Sequence, residues 1–367
     1  MNKQPFLIAM TFMSIIVGGG FASGQEVLQF FTGYGLVGVA GTLVSGLLFA
    51  FLGMQIARMS SSLQARSHKE VLVALFGRRA GLAIDLVLSF FLFGVGVVML
   101  AGSGSIFAQQ YGMHPLFGGV LLSVLVIATL CLRVRGIINL ISAIMPVLLL
   151  LVMTITVYSF FASDATLDAL NAASGEVATI SDGWPVSHWF VGALLYASFN
   201  IAVGFPMLSV IGGLTSDSRQ AALGGVLGGV GLGVLIFLLN VGLFANLDRL
   251  VGVEMPSLML ASALSPAVAM AMAVALICMI YSTAVGMFFS FTARFATPET
   301  TRFKVLSVLF TGVGLVLSQF GFSALIGTVY PMLGVVGLIL TLALGYRWQT
   351  ARRAARLRLA SSSYFDS

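Results

Sequence analysis

Apolar residues run almost without interruption in stretches of roughly 20 residues, the length at which a helix spans a bilayer core. The stretches fall at 5–31, 36–57, 82–109, 115–132 and 137–161. After a polar interval at 162–187 they resume at 188–214, 221–245, 262–293, 305–320 and 322–346. Ten transmembrane helices are expected, because a helix satisfies its own backbone groups in lipid. Within the first, V-G-G-G-F-A-S-G-Q-E at 17–26 sets Gly18, Gly19, Gly20 and Gly24 where each costs about 1 kcal/mol relative to Ala. That crossing is expected to break inside the membrane. Lipid tolerates open backbone only where protein buries it or where it lines a water-filled cavity, so the break implies a site.

Composition agrees with this pattern. Of 367 residues 59% are hydrophobic and 8% charged, against roughly 25% charged in soluble proteins, and mean hydropathy is +1.07. A net charge of +6 raises the question of a nucleic-acid or anionic partner, and the positions of the charges answer it. With a cytoplasmic N-terminus, the inner segments take Lys3, Arg58, Arg66, Lys69, Arg78, Arg79, Arg133, Arg135, Arg219, Arg294, Arg302 and Lys304. The tail adds Arg347, Arg352, Arg353, Arg356 and Arg358, which makes seventeen of the eighteen Lys and Arg and leaves only Arg249 outside. The asymmetry supports ten crossings with both termini cytoplasmic in a bacterial inner membrane, and no nucleic-acid partner. The outer interval carries Asp164, Asp168, Glu176 and Asp182 with no Lys or Arg, a solvated acidic surface or a weak cation attractor. Cys131 and Cys278 sit in apolar stretches and read as small packing residues rather than a disulfide. The first stretch is too long for a cleavable signal and lacks a small-residue cleavage pattern.

Five crossings lie on each side of the polar interval, so the second half enters from the opposite face, the arithmetic of an inverted-topology repeat. Residues 1–161 and 188–346 form the two repeats, 162–187 the outer acidic loop and 347–367 a basic cytoplasmic tail, in one structural domain. The sixth crossing should then answer to the first. From Tyr196 it reads Y-A-S-F-N-I-A-V-G-F-P, where Tyr196, Ser198 and Asn200 interrupt the apolar run and Gly204 and Pro206 weaken the helix beyond. A second discontinuous helix is expected there. Paired interrupted helices in matching positions of two halves are the sequence pointer to a transporter's mid-membrane site. Small residues that merely let helices approach closely would explain the general glycine richness, but explain three consecutive glycines poorly.

This plan resembles the LeuT-type fold of the amino acid, polyamine and organocation transporter superfamily, over nearly the whole chain. The segment G-G-G-F-A-S-G-Q-E, with Phe30 and Phe31 following, is similar more narrowly to the YkvI-type bacterial membrane proteins, a family described as uncharacterised. The unwound helix leaves N–H groups at Gly19, Gly20 and Phe21, which with the helix dipole attract a carboxylate. Carbonyls of Ser14 and Val17 point the other way and suit a hard cation. The resemblance implies a sodium site that pairs such carbonyls with adjacent hydroxyls on the eighth crossing, and Ser282 and Thr283 match that pattern. Hydroxyls in membrane helices also commonly bond a carbonyl one turn back, which is the competing reading of this pair. By the same resemblance Met99 and Ser103 of the third crossing are candidate pocket walls.

Glu26 is an ionisable group in a spanning segment, a functional hypothesis by default. Its sequence leaves three roles open. Ser23-Gly24-Gln25-Glu26 fits a capping box that restarts the helix, and the carboxyl also reads as a counter-ion or gate, or as a proton carrier. His68, His114 and His188 fall in loops or at helix ends, so no histidine relay is expected, and Asp85 reads as interfacial. Hydrolase, Walker and metalloprotease motifs are absent, and so is an Asp-rich cluster, so neither an enzyme nor a primary pump is expected. The reading is a secondary active transporter: sodium-coupled symport of a small organic solute such as an amino acid, by alternating access, with no organic cofactor. Proton coupling through Glu26 is the alternative, and a channel or non-transporting sensor is the alternative of another class.

Overall fold

Long apolar runs satisfy their backbone groups as helices, and the computed structural model is built from helices and turns over the residues it describes, 4–131, 150–166, 168–170, 172–174, 188–296 and 300–365. The first crossing is α1 (Gln4–Ile16), α2 (Gly19–Ser23) and α3 (Gln25–Phe30). Then follow α4 (Leu36–Leu63), α5 (His68–Tyr111), α6 (Pro115–Cys131) and α7 (Leu150–Phe161). The second half contains α8 (Trp189–Gly213), α9 (Ser218–Phe244), α10 (Pro256–Leu264), α11 (Pro266–Thr292), α12 (Thr301–Leu317) and α13 (Phe322–Phe365). Seven of these helices are long and apolar enough to cross a membrane, while α1, α6 and α7 are shorter apolar helices. The start of the expected fifth crossing, Arg133, Arg135, Glu176 and Asp182 lie outside the described residues.

The structure corrects three expectations about elements. The sixth crossing is not interrupted: α8 runs unbroken through Gly204 and Pro206. A proline removes one N–H and crowds one carbonyl, which a helix absorbs as a local kink, whereas consecutive glycines remove side-chain support from a whole turn. The third crossing starts earlier than expected, since α5 begins at His68 and turns at Gly77 (φ 78°, ψ 172°) before entering the apolar part. The eighth starts later, at Pro266, where extended Ser265 caps the helix by accepting the Val268 N–H on its Oγ.

Packing divides the helices into two groups. α1, α4, α8 and α9 pack on one another, as do α5, α6, α11 and α12, while α13 lies against both α8 and α5. In the first group α4 and α9 meet through small residues. A Cβ on Gly46 would lie 3.0 Å from the Gly233 Cα, one on Gly229 2.3 Å from the Ala50 N, and one on Gly225 2.3 Å from the Gly53 carbonyl oxygen. One strip ascends while the other descends, the register of an antiparallel pair in close backbone contact.

The connections gather at two ends. At one, Ser61 Oγ donates to the Thr215 carbonyl at 2.6 Å, and Arg347 Nη1 to the Ala74 carbonyl at 3.1 Å. Asp85 lies at this end and is buried, with His68 Nε2 at 2.9 Å and Arg294 Nη2 at 2.7 Å. At the other end Gln109 bonds Met255, and Asn246 Nδ2 donates to the Ser159 carbonyl at 3.1 Å. Arg66, Lys69, Arg219 and Arg294 thus share the first end and Arg249 stands at the second, the segregation that the loop charges imply.

Candidate functional site

The two helix groups meet at the broken first crossing, where α2 packs on α11. α1 stops at Ile16: the Val17 N–H still bonds the Met13 carbonyl at 2.8 Å, but the Gly18 N–H turns to the Ile16 carbonyl at 2.9 Å. Gly18 is extended (φ −109°, ψ −168°), and the α2 turn follows. Gly24 then takes a left-handed φ of 84°, open to glycine at little cost, before α3 begins. The helix start at Gly19 leaves the N–H groups of Gly19, Gly20 and Phe21 without acceptors in the preceding turn. Gly19 is also a point of close contact, since a Cβ there would lie 2.3 Å from Ile280 Cγ1.

Thr283 reaches this break. Its Oγ1 would be 2.9 Å from a Cβ on Gly18, beside Val17. Ser282 Oγ and Thr283 Oγ1 both donate to the Met279 carbonyl, at 2.8 and 3.0 Å. The competing one-turn-back bond is therefore made, yet it uses only each hydroxyl's hydrogen and leaves lone pairs to accept or coordinate. Thr283 Oγ1, beside Gly18, is thus a neutral hard oxygen donor, of the kind that suits a sodium ion. Among the described residues no group of three His, Cys, Asp or Glu could hold a metal ion, so a transition-metal centre has no donor set there.

Glu26 sits on the other side of the break. It is 4% exposed, and its Oε1 lies against Gly20, where a Cβ would be 1.8 Å away. The Tyr330 hydroxyl is its hydrogen-bond partner, and Oε2 is buried with no partner. The capping box expected at Ser23 does not form. Gly24 is the N-cap of α3 and offers no side chain; Ser23 Oγ donates to the Gly20 carbonyl at 2.7 Å and accepts the Gln25 N–H at 3.2 Å. The left-handed turn at Gly24 carries Glu26 away from the Ser23 N–H and toward Gly20. The ion pairs among the described residues involve Asp85 and not Glu26.

Aromatic rings close this side. Tyr196 of α8 packs on Phe31 with centroids 4.7 Å apart and on Phe199 at 5.2 Å, and Phe199 lies on Tyr330 at 4.7 Å. Gln25 Oε1 is buried without a partner, as is Ser257 Oγ, which stands beside Gly24. Gln25 Nε2 donates to Ser323 Oγ at 2.8 Å and ties α3 to α13. Unsatisfied polar atoms are costly in a protein interior, and Glu26 Oε2, Gln25 Oε1 and Ser257 Oγ are among those of the described residues.

The other candidate pocket residues have these partners in the structure. Ser103 Oγ donates to the Gly118 carbonyl at 2.9 Å and serves the α5–α6 contact. Ser198 Oγ lies 3.3 Å from Thr341 Oγ1, facing α13. Asn200 Nδ2 donates to the Tyr196 carbonyl at 3.1 Å, one turn back in α8, and Met99 is buried in the core. Tyr330 was not among the residues expected from sequence, although a phenol in an otherwise apolar crossing just before Pro331 is a signal of the kind that singled out Tyr196.

No protein-family model matches the chain. It is similar to two Bacillus subtilis (strain 168) proteins. One is the uncharacterized membrane protein YkvI, at 26% identity over 90% of this chain and 92% of YkvI; the other is the uncharacterized protein YyaD, at 28% over 90% and 92%. Among solved structures it shares the fold of MhsT, crystallised with L-phenylalanine (TM-score 0.60, 17% identity, 92% of this chain and 88% of that one). It shares it also with Mhp1 in an inward-facing conformation (TM-score 0.56, 16% identity, 93% and 73%). A Na+-coupled sialic acid symporter follows (TM-score 0.55, 15% identity, 87% and 72%). The expected LeuT-type transporter fold is thus shared with solved membrane transporters, none of them an enzyme.

Proposed function

We propose, from a fold shared with solved secondary transporters, that this chain is itself a secondary active transporter of the bacterial inner membrane. It carries a small organic solute such as an amino acid inward with sodium. The observation that supports this most is the break at Gly18, which sits where the two helix groups touch and has Thr283 on one side and Glu26 on the other. In this reading ten crossings form two inverted repeats of five, with both termini cytoplasmic. The α1, α4, α8 and α9 group rocks against α5, α6, α11 and α12 to expose the break to either face. The Ser14 and Val17 carbonyls with Ser282 and Thr283 hold sodium, while Gly19, Gly20 and Phe21 with Tyr196 receive the solute. A second reading rests on the unpartnered Glu26 Oε2, a buried position for a coupling proton.

Purified protein is first screened by thermal shift against amino acids, amines and osmolytes in sodium and in potassium, and the stabilising solute is then taken into proteoliposomes. Saturable uptake with counterflow is expected, whereas a current that does not saturate would make the protein a channel. The double variant Ser282→Ala with Thr283→Ala should need much more sodium for half-maximal uptake. Unchanged sodium dependence removes the cation site, and loss of pH dependence in Glu26→Gln transfers the coupling role to the proton.

A further inference from the structure

A cavity of about 270 Å³ lies away from the break, at the end of the bundle opposite the basic loops. α5, the start of α6, the 245–255 connection and the turn between α12 and α13 surround it. Its charged group is Glu254. Buried Ser105 donates to Glu254 Oε2 at 2.6 Å, and the neighbouring Met255 is clamped to α5, its N–H on Gln109 Oε1 and its carbonyl on Gln109 Nε2, both at 3.2 Å. The carboxylate is therefore held in place. Its other oxygen faces the turn at Gly321, where an added Cβ would lie 3.8 Å away, in ordinary van der Waals contact.

The lining chooses the ligand. Leu100, Ala101 and Pro115 give a carbon wall, and Gln319 adds a polar amide at the rim. No Lys or Arg lines the cavity, and Glu254 forms no ion pair among the described residues. A fixed carboxylate without a Lys or Arg beside it, in a cavity whose lining is part carbon and part polar, favours a ligand with a positive head and a short carbon body. A bare divalent ion fits poorly, because His114 is the only other lining residue with strong metal-ligand chemistry. The volume lies just below the usual range for small-molecule pockets, roughly 300–1,000 Å³, which limits the body to a few carbons.

We propose that this cavity is a second binding site, taking a small alkylammonium compound whose nitrogen pairs with Glu254. The site reaches the break through its own connection: Pro256 and Ser257, just after the clamp, touch Gly24, where a Cβ would lie 3.2 Å from Pro256 Cβ and 3.0 Å from Ser257 Oγ. This goes beyond the transport reading and does not depend on it.

The test is ligand-induced stabilisation and calorimetric binding of the purified full chain with n-butylammonium, and with n-butanol as the uncharged control. Butylammonium should bind wild type and Glu26→Gln equally, and butanol should bind neither. Glu254→Gln should weaken binding at least tenfold, and Ala101→Leu, which keeps the charge but fills the cavity, should weaken it as well. Undiminished binding in Glu254→Gln, or loss in Glu26→Gln with retention in Glu254→Gln and Ala101→Leu, would overturn the proposal. If Glu254→Gln fails to fold, Ala101→Leu alone decides.

Discussion

At Gly20 an added methyl group would take the place now held by the end of the Glu26 side chain. The glycine and the acid work as one device: the absent side chain is what lets Glu26 fold back against α2 and meet Tyr330. Gly20→Ala should displace the carboxyl, a move the flexible end of the side chain can make at little cost in stability, and abolish proteoliposome uptake. Gly286→Ala is the control, since nothing lies within 4 Å of its Cβ position, and it should transport normally. Full uptake by Gly20→Ala would show that the carboxyl's position is dispensable. Both residues stood out in the sequence, but their pairing did not. S-x-x-E is a local pattern that reads as a cap, and it fails here because the left-handed turn at Gly24 takes the N-cap position. The partners of Ser103 and Ser198 were hidden in the sequence for a related reason. A serine in an apolar helix gives the same signal whichever way it faces, and the rotation of the helix is fixed by partners such as Gly118 and Thr341.

Among the elements, the α4–α9 pair depends most directly on small residues. Gly229 lies on backbone rather than on a flexible side chain, its Cβ position 2.3 Å from the Ala50 N, so the neighbour cannot move aside. Gly229→Val should force the helices apart and lower the midpoint of thermal unfolding in detergent, with a loss of at least about 1–3 kcal/mol. An unchanged midpoint would mean that the pair is not closely packed in the membrane protein. Glycine spacing in these two stretches was visible in the sequence; the antiparallel register that matches Gly46 to Gly233 was not. The contrast between the first and sixth crossings is equally physical. Consecutive glycines leave the backbone free to leave the helix, whereas one proline inside α8 is accommodated.

Across the whole molecule, the two helix groups form the bodies that alternating access would move. In a background with Cys131 and Cys278 replaced by alanine, spin labels at Ser62 and Ser216 fall within one group and should keep their separation. Labels at Ser62 and Thr301 span the groups, and their distance distribution should shift when sodium replaces potassium or when the pH falls. Two fixed distributions under every condition would rule out rocking between these groups. The sequence by itself determined that the chain is a helical membrane protein, where most crossings lie, that the basic loops share one face, and that the first crossing breaks. These follow from local costs: the hydration of charges, the length needed to span lipid, and the backbone freedom of glycine. Only the tertiary structure decided that Thr283 and Glu26 flank that break from opposite sides and that Tyr330 joins the acid. It also decided that the sixth helix stays whole and that Glu254 is clamped beside a cavity. Each of these depends on how helices rotate and which partners they meet, and that is settled by packing between residues far apart in the chain.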